Sequence, residues 1–89
     1  RFVSKFTGDP TFGQLEAAFA SEDQPGAFRA AHTLKGVSSN LGFGRLCQAS
    51  SELTEYLRPG NAPAGGKVLF EAVQGEYTAV LRALKQLTV

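Results

Sequence analysis

Apolar residues recur at intervals of three and four positions along most of this chain, and this spacing constrains the fold more than any other feature. Because successive residues of an α-helix are rotated by about 100°, the spacing collects apolar side chains on one helix face. No segment alternates apolar and polar residues between turns, which is the pattern of a half-buried strand. The sequence therefore predicts an all-α protein. Its longest apolar stripe comprises Leu69, Val73, Tyr77, Val80, Leu84 and Leu87.

Residues 1–7, which contain Phe2 and Phe6, are interpreted as a short or truncated N-terminal helix. The next helix is predicted to have Asp9 as its N-cap and Pro10 at its first position, because a cap residue followed by proline is typical of helix starts. This helix is expected to run to about residue 21. It is predicted to bury Phe12, Leu15 and Phe19.

A third helix is predicted across the only histidine of the chain. Asp23 or Gln24 can cap it and Pro25 can open it, whereas Gly42 suits the left-handed conformation that often ends a helix. The predicted buried stripe of this helix is Ala27, Ala31, Leu34, Ser38 and Leu41.

Residues 43–58 form the fourth predicted helix, and residues 59–66 (PGNAPAGG) are predicted to be a loop without regular structure. The last helix is predicted to start at Lys67. Short connections between amphipathic helices imply antiparallel neighbours, so we expect one domain over residues 1–89, an up-and-down antiparallel four-helix bundle. The buried stripe of the fourth helix is predicted to be Leu46, Ser50, Leu53 and Leu57, with Cys47 beside it.

His32 is predicted to lie outside the buried stripe of its helix and to project into solvent. Lys35 and Gly36 stand one turn further on, so the imidazole has a cation as one neighbour and no side chain as the other. A glycine inside a helix costs about 1 kcal/mol relative to alanine, and its presence needs a reason. We interpret Gly36 as clearance, because a bulky side chain there would block another protein from reaching the imidazole.

These residue types suit the transfer of a phosphoryl group. A neutral imidazole is a good nucleophile near neutral pH. A phosphoryl group on the ring of His32 would carry negative charge, which the ammonium group of Lys35 can stabilise as a point charge. The nucleophile, the cation and the open position are predicted to lie on one strip of the helix.

The run HTLKG at residues 32–36 is followed by SSNLGF and preceded by FRAA, and the next predicted helix contains LCQASSELTEYLR. In these motifs the chain resembles a histidine-containing phosphotransfer domain, from about residue 12 to its end. The resemblance implies a helical bundle in which His32 is the phosphoacceptor, Lys35 the supporting cation and Gly36 the clearance residue. It also implies a phosphocarrier in histidine-to-aspartate transfer, rather than an independent catalyst with turnover.

The same resemblance implies response-regulator receiver domains and hybrid sensor histidine kinases as partners. It implies no cofactor and no metal in this domain, with Mg²⁺ expected on the partner receiver domain only. Family members often have glutamine or glutamate on the next helix, at a position that is Thr54 here, and we expect Thr54, with Ser39, to support the imidazole. The expected docking residues around the site are Phe28, Arg29, Val37, Phe43 and Arg45.

Charge and hydropathy point to no further class of partner. Nine basic and eight acidic residues leave a net charge of +1, so neither nucleic acid nor an anionic membrane is implied. No apolar run approaches the ~20 residues of a membrane span, and the first residues show no signal pattern. We expect a monomer in the cytoplasm, and a single cysteine is consistent with a reducing compartment.

Other chemistry is weaker in this sequence. A phosphate-binding loop fails at Asn61 and Val68, where a glycine and a hydroxyl residue are required. One histidine and Cys47 cannot supply the ligands of a zinc site, and Cys47 lies beside an apolar stripe, where thiols are usually inert.

Two other functions stay open: a helical module that binds receiver or kinase domains without accepting phosphate, and the dimerisation and phosphoacceptor part of a sensor kinase. Thr33 argues against the second, because an acidic residue is usual after that histidine.

Overall fold

The computed structural model describes residues 11–88, in which four α-helices and one short 3-10 turn follow one another along the chain. No strand occurs among these residues, which confirms the predicted all-α class. The predicted N-terminal helix in residues 1–7 and the predicted cap at Asp9 and Pro10 lie outside the described residues. The helices are α1 (Thr11–Ala20), α2 (Gln24–Leu41), α3 (Gly44–Leu57) and α4 (Lys67–Thr88), and the 3-10 turn is Pro63–Gly66.

Both ends of α2 are fixed by local hydrogen bonds that the sequence predicts. The Asp23 side chain accepts a hydrogen bond from the Gly26 N–H at 3.1 Å, and Pro25 lies in the first turn. At the other end Gly42 has φ 79° and ψ 19°, and its N–H donates to the carbonyl groups of Ser38 and Ser39. The predicted cap at Asp23 and the predicted end at Gly42 are therefore confirmed.

The core lies where α2 packs between α1 and α3, and α3 in turn packs against α4. The predicted α3 stripe is fully buried, and so is the predicted α2 stripe except for Leu41, which is half-buried. Ser38 is tolerated in the core because its hydroxyl donates to the Leu34 carbonyl at 2.7 Å. Three buried residues of these helices were not predicted, and they are Ala30, Ala49 and Thr54.

Aromatic rings join α1 to α4. Phe12 stacks on Tyr77 with ring centroids 4.3 Å apart, and Phe19 stacks on Phe70 at 4.6 Å. Phe12 and Leu15 are buried as predicted, but Phe19 is only half-buried, because its stack with Phe70 lies at the edge of a groove between α1 and α4. Phe70 stands outside the predicted α4 stripe.

The predicted stripe of α4 is buried over only part of its length. Val73 and Leu84 are buried, whereas Leu69, Tyr77 and Val80 are half-buried. The side chain of Leu87 lies outside the described residues. Among residues 11–88, no helix combines the length and the apolar character that crossing a membrane requires.

The prediction that residues 59–66 lack regular structure is wrong for the second half of this segment. Pro63 and Gly66 are buried in the 3-10 turn, and Tyr56 donates its hydroxyl proton to the Ala62 carbonyl at 3.2 Å. A Cβ on Gly66 would lie 2.8 Å from a carbon of the Tyr56 ring, so glycine is what lets the turn approach α3. The side chain of Asn61 adds a hydrogen bond to the Tyr56 carbonyl at 2.7 Å.

The packing of α3 gives a first testable prediction. Leu53 has no exposed surface, so Leu53→Ala should lower the free energy of unfolding by about 2–5 kcal/mol through lost burial and a cavity. Val68→Ala is the matched control, because Val68 is 78% exposed and its truncation should change stability by less than about 0.5 kcal/mol. Urea denaturation of the two variants measures the difference, and equal effects would contradict the core described above.

Candidate functional site

His32 lies in the middle of α2 and is exposed, whereas the preceding residue, Ala31, is fully buried. The predicted position outside the buried stripe is therefore confirmed. The ring of Phe28, one turn earlier, meets the imidazole edge-on, with centroids 6.1 Å apart and an angle of 62° between the planes. Within residues 11–88 the imidazole makes no hydrogen bond and no ion pair.

Gly36 is exposed, and a Cβ built on it meets no heavy atom of the described residues within 4 Å. Close helix packing, the ordinary structural reason for a glycine inside a helix, is therefore absent at this position. The surface one turn after His32 is open. Packing among the described residues therefore does not explain why a glycine, which lowers helix stability, occupies this position.

Lys35 is half-buried beside a shallow groove of about 310 Å³ between α2 and α3. A half-buried lysine can cover apolar surface with its aliphatic stem and keep its ammonium group in water. The expected supporting residue Ser39 lies on the same groove and is exposed. The side chains that line this α2/α3 groove include Lys35, Ser39, Phe43, Cys47, Gln48 and Ser51.

Thr54 occupies a different environment from the one expected. It has no exposed surface, and its hydroxyl donates to the Ser50 carbonyl at 2.7 Å. The residue lies three positions before Leu57 and four after Ser50, which places it on the buried side of α3. The structure thus gives this hydroxyl a backbone partner inside α3, and no hydrogen bond joins it to His32.

Two charged residues at the end of α3 lie next to Phe28. Arg58 and Glu55 form a bidentate pair, with 3.0 Å between Nη2 and Oε2 and 3.3 Å between Nε and Oε1. The guanidinium carbon of Arg58 lies 5.6 Å from the centroid of the Phe28 ring, in a cation–π contact. Phe28 therefore contacts both Arg58 and His32.

Glu55 and Arg58 are not among the residues that the sequence predicts for the site. Their spacing of three residues on one helix could have indicated the ion pair. The contact of Arg58 with Phe28 joins residues 30 positions apart and has no local signal.

The charges of this cluster influence one another. The hydrogen bond from Arg58 and its positive charge lower the pKa of Glu55, and the charge of Lys35 lowers it further. Glu55 in turn raises the pKa of Arg58. The carboxylate of Glu55 is therefore stabilised by two cations, Arg58 at the end of α3 and Lys35 on α2.

The expected docking residues are not all brought together. Phe28 lies beside His32, and Phe43 lies on the α2/α3 groove with Lys35. Val37 is half-buried against the core and Arg29 is exposed. Arg45 is exposed and lines a groove between α3 and α4 with Glu52 and Glu76, and it also lines a second groove that Phe43 shares. Among residues 11–88 no cluster of three His, Cys, Asp or Glu side chains could hold a metal ion.

The ion pair of α3 gives a second prediction. The carboxyl group of Glu55 should titrate below the ordinary value of 4.5, and Arg58→Gln should return its pKa towards that value because the donor and the charge are lost. The favourable interaction is complete above the ordinary value and is lost as pH falls through the lowered pKa. Carbon-detected NMR titration of the side chain measures both values. Identical titration in the two proteins would contradict the pair.

Comparison with known proteins agrees with this geometry. The family model described as the Hpt domain matches residues 7–87, which is nearly the whole chain. A search of curated proteins and a search of solved structures each gave no match. The exposed histidine, the adjacent lysine and the open glycine lie within the matched residues. The chain therefore belongs to the Hpt domain family, the histidine phosphotransfer domains of two-component phosphorelays.

Proposed function

We propose that this protein is a phosphorelay intermediate in which His32 accepts a phosphoryl group from the aspartyl phosphate of a receiver domain, or from a kinase. His32 then transfers the group to the aspartate of another receiver domain. The observation that carries the proposal is the exposed imidazole of His32 beside the open surface at Gly36. Membership of the Hpt domain family supports the same function.

The transfer requires in-line attack by the ring nitrogen farther from the backbone, Nε2. Its lone pair forms a bond to phosphorus, and the bond between phosphorus and the aspartate oxygen breaks. The aspartate carboxylate leaves with that electron pair. The reverse sequence of bond changes passes the group to the second receiver. The domain thus acts as a carrier, and Mg²⁺ belongs to the partner receiver domain.

Two neighbours of the histidine have separate roles in this proposal. The ammonium group of Lys35 offsets the negative charge of the transferring group. Gly36 leaves room for the loops of the receiver to bring the aspartyl phosphate into line with Nε2, because a Cβ there would meet no heavy atom of the described residues within 4 Å. Both roles need rigid placement, which the middle of α2 supplies.

We infer that a receiver domain docks on the face that carries His32, in a small and transient contact. Phe28, Val37 and Phe43 supply partly exposed apolar surface there, and Arg29 and Lys35 face the acidic pocket of the receiver. Arg45 shares a groove with Phe43 and would contribute positive charge at the edge of this surface. Ser39 lies on the α2/α3 groove at the edge of this surface.

The arrangement that we infer for the helices is up-and-down and antiparallel. Three residues separate α1 from α2 and two separate α2 from α3, and each of these pairs is in contact. Connections this short favour antiparallel neighbours. We further propose that the domain works as a monomer in the cytoplasm, where receiver domains are available to it.

The phosphoacceptor role gives the third prediction. Incubation with a phosphorylated receiver should place an acid-labile, base-stable label on the wild-type protein and none on His32→Gln, which lacks the nucleophilic nitrogen. Label that persists in the variant, or its absence from the wild type, would overturn the proposal. Binding of the receiver without any label would instead indicate a module that recognises receivers and carries no phosphate.

The clearance role gives the fourth prediction. Gly36→Leu should keep the fold and raise helix stability by up to about 1 kcal/mol, because the site is open and leucine is the better helix former. The same variant should lose most of its transfer rate, since the side chain would stand where the receiver approaches.

Gly75→Leu is the matched control for this variant. Gly75 also lies inside a helix and is exposed, and a Cβ there meets no heavy atom of residues 11–88 within 4 Å. Thermal unfolding and the rate of label transfer should separate the two variants. A normal transfer rate in Gly36→Leu, or an equal loss in Gly75→Leu, would disprove the clearance role.

A further inference from the structure

Glu55 and Arg58 form a charged pair beside the phosphoacceptor, and no step described above uses it. Arg58 is held by the Glu55 carboxylate at 3.0 Å while its guanidinium carbon lies over the ring of Phe28. The same ring meets the imidazole of His32 edge-on, with centroids 6.1 Å apart. Both charged side chains are more than half exposed, so they can change rotamer at little energetic expense.

We propose that Glu55 is a positioning residue that holds Arg58 while His32 is unmodified and competes with the phosphoryl group for Arg58 once His32 is phosphorylated. This inference rests on the proposed function of His32. It concerns the equilibrium between phosphohistidine on this chain and aspartyl phosphate on the receiver, and not the bond changes of the transfer.

The chemistry of the guanidinium group supports an exchange of partners. Its fork of N–H donors binds a carboxylate and a phosphoryl group in the same bidentate manner. A phosphoryl group on Nε2 would add up to two negative charges close to Phe28, over which Arg58 already lies. Arg58 then has two alternative acceptors, and in the proposed exchange its side chain changes rotamer to move from the Glu55 carboxylate to the phosphoryl group.

The charge of Glu55 acts in the same direction as its competition for Arg58. Its carboxylate feels the positive charges of both Arg58 and Lys35, so it lies near the cations that would stabilise a phosphohistidine. A fixed negative charge among those cations weakens their effect on the phosphoryl group. Glu55 should therefore destabilise the phosphohistidine relative to the aspartyl phosphate of the receiver and favour onward transfer.

Glu52 provides a matched control one turn earlier on α3. It is exposed and carries the same charge, but its carboxylate accepts a hydrogen bond from Gln48 and lines the groove that α3 forms with α4. Glu55→Gln and Glu52→Gln therefore change the net charge equally. Only the first removes the partner of Arg58.

The test measures how radioactive label partitions at equilibrium between the full 89-residue chain and a receiver domain. Glu55→Gln should shift the partition towards phosphohistidine by about threefold, the size expected for one partly screened charge at an exposed site. Glu52→Gln should leave it unchanged, and Arg58→Gln should shift it the opposite way. Equal partition in Glu55→Gln and Glu52→Gln would overturn the proposal.

A second measurement follows Arg58 directly. After phosphorylation of the chain with phosphoramidate, the Nε–Hε resonance of Arg58 should move in the wild type and in Glu52→Gln. It should not move in His32→Gln, which cannot take the group. If the Arg58 resonance does not move when the wild-type chain is phosphorylated, the exchange of partners is refuted.

The two proposals fail in different ways. No label on wild type would remove both the phosphoacceptor role and this inference. Normal label on wild type with no effect of Glu55→Gln would remove the inference alone.

Discussion

The packing of α2 between α1 and α3 is the constraint on which the rest of this structure depends. The buried face of α2 is made of Ala27, Ala30, Ala31 and Leu34, and its small side chains let the neighbouring helices come close. Once that face is fixed, the opposite face of an 18-residue helix has to meet solvent. His32 lies on this outward face, so the packing of the core is enough to explain why its side chain is exposed.

Rigid placement and open access are combined at this site. Asp23 and Gly42 fix the two ends of α2, and the histidine stands near the middle, where fraying is least. Gly36 lowers the intrinsic stability of the same helix, yet no neighbouring atom requires it. A local rule of helix formation is thus broken beside the proposed phosphoacceptor, which is where such exceptions are expected in proteins.

The charges around the histidine form a small network that spans two helices. Lys35 belongs to α2, whereas Glu55 and Arg58 belong to the end of α3, and Phe28 connects the second pair to the imidazole. All of these side chains are at least partly exposed, so the network adds little to stability. The network instead changes the electrostatic potential at the site that an incoming phosphoryl group would occupy. That potential depends on the position of α2 relative to α3.

The sequence by itself determined the features that depend on neighbours within about four residues. The helical class, the caps at Asp23 and Gly42, the buried stripes of α2 and α3, and the outward direction of His32 all follow from helix periodicity and local hydrogen bonding. The open position at Gly36 follows from the same rule. These predictions succeeded because a helix fixes the relation between residue i and residue i+4.

Only the tertiary structure decided which side chains meet across helices. The contact of Arg58 with Phe28, the stack of Phe19 on Phe70 and the packing of Tyr56 over Gly66 all join residues that are distant in sequence or separated by a turn. Each depends on the rotation and axial offset of one helix relative to another, which periodicity leaves undetermined. The ordered turn of Pro63–Gly66 depends partly on such contacts, because Tyr56 packs against Gly66 and donates to the Ala62 carbonyl, which also accepts a local hydrogen bond from the Gly65 N–H.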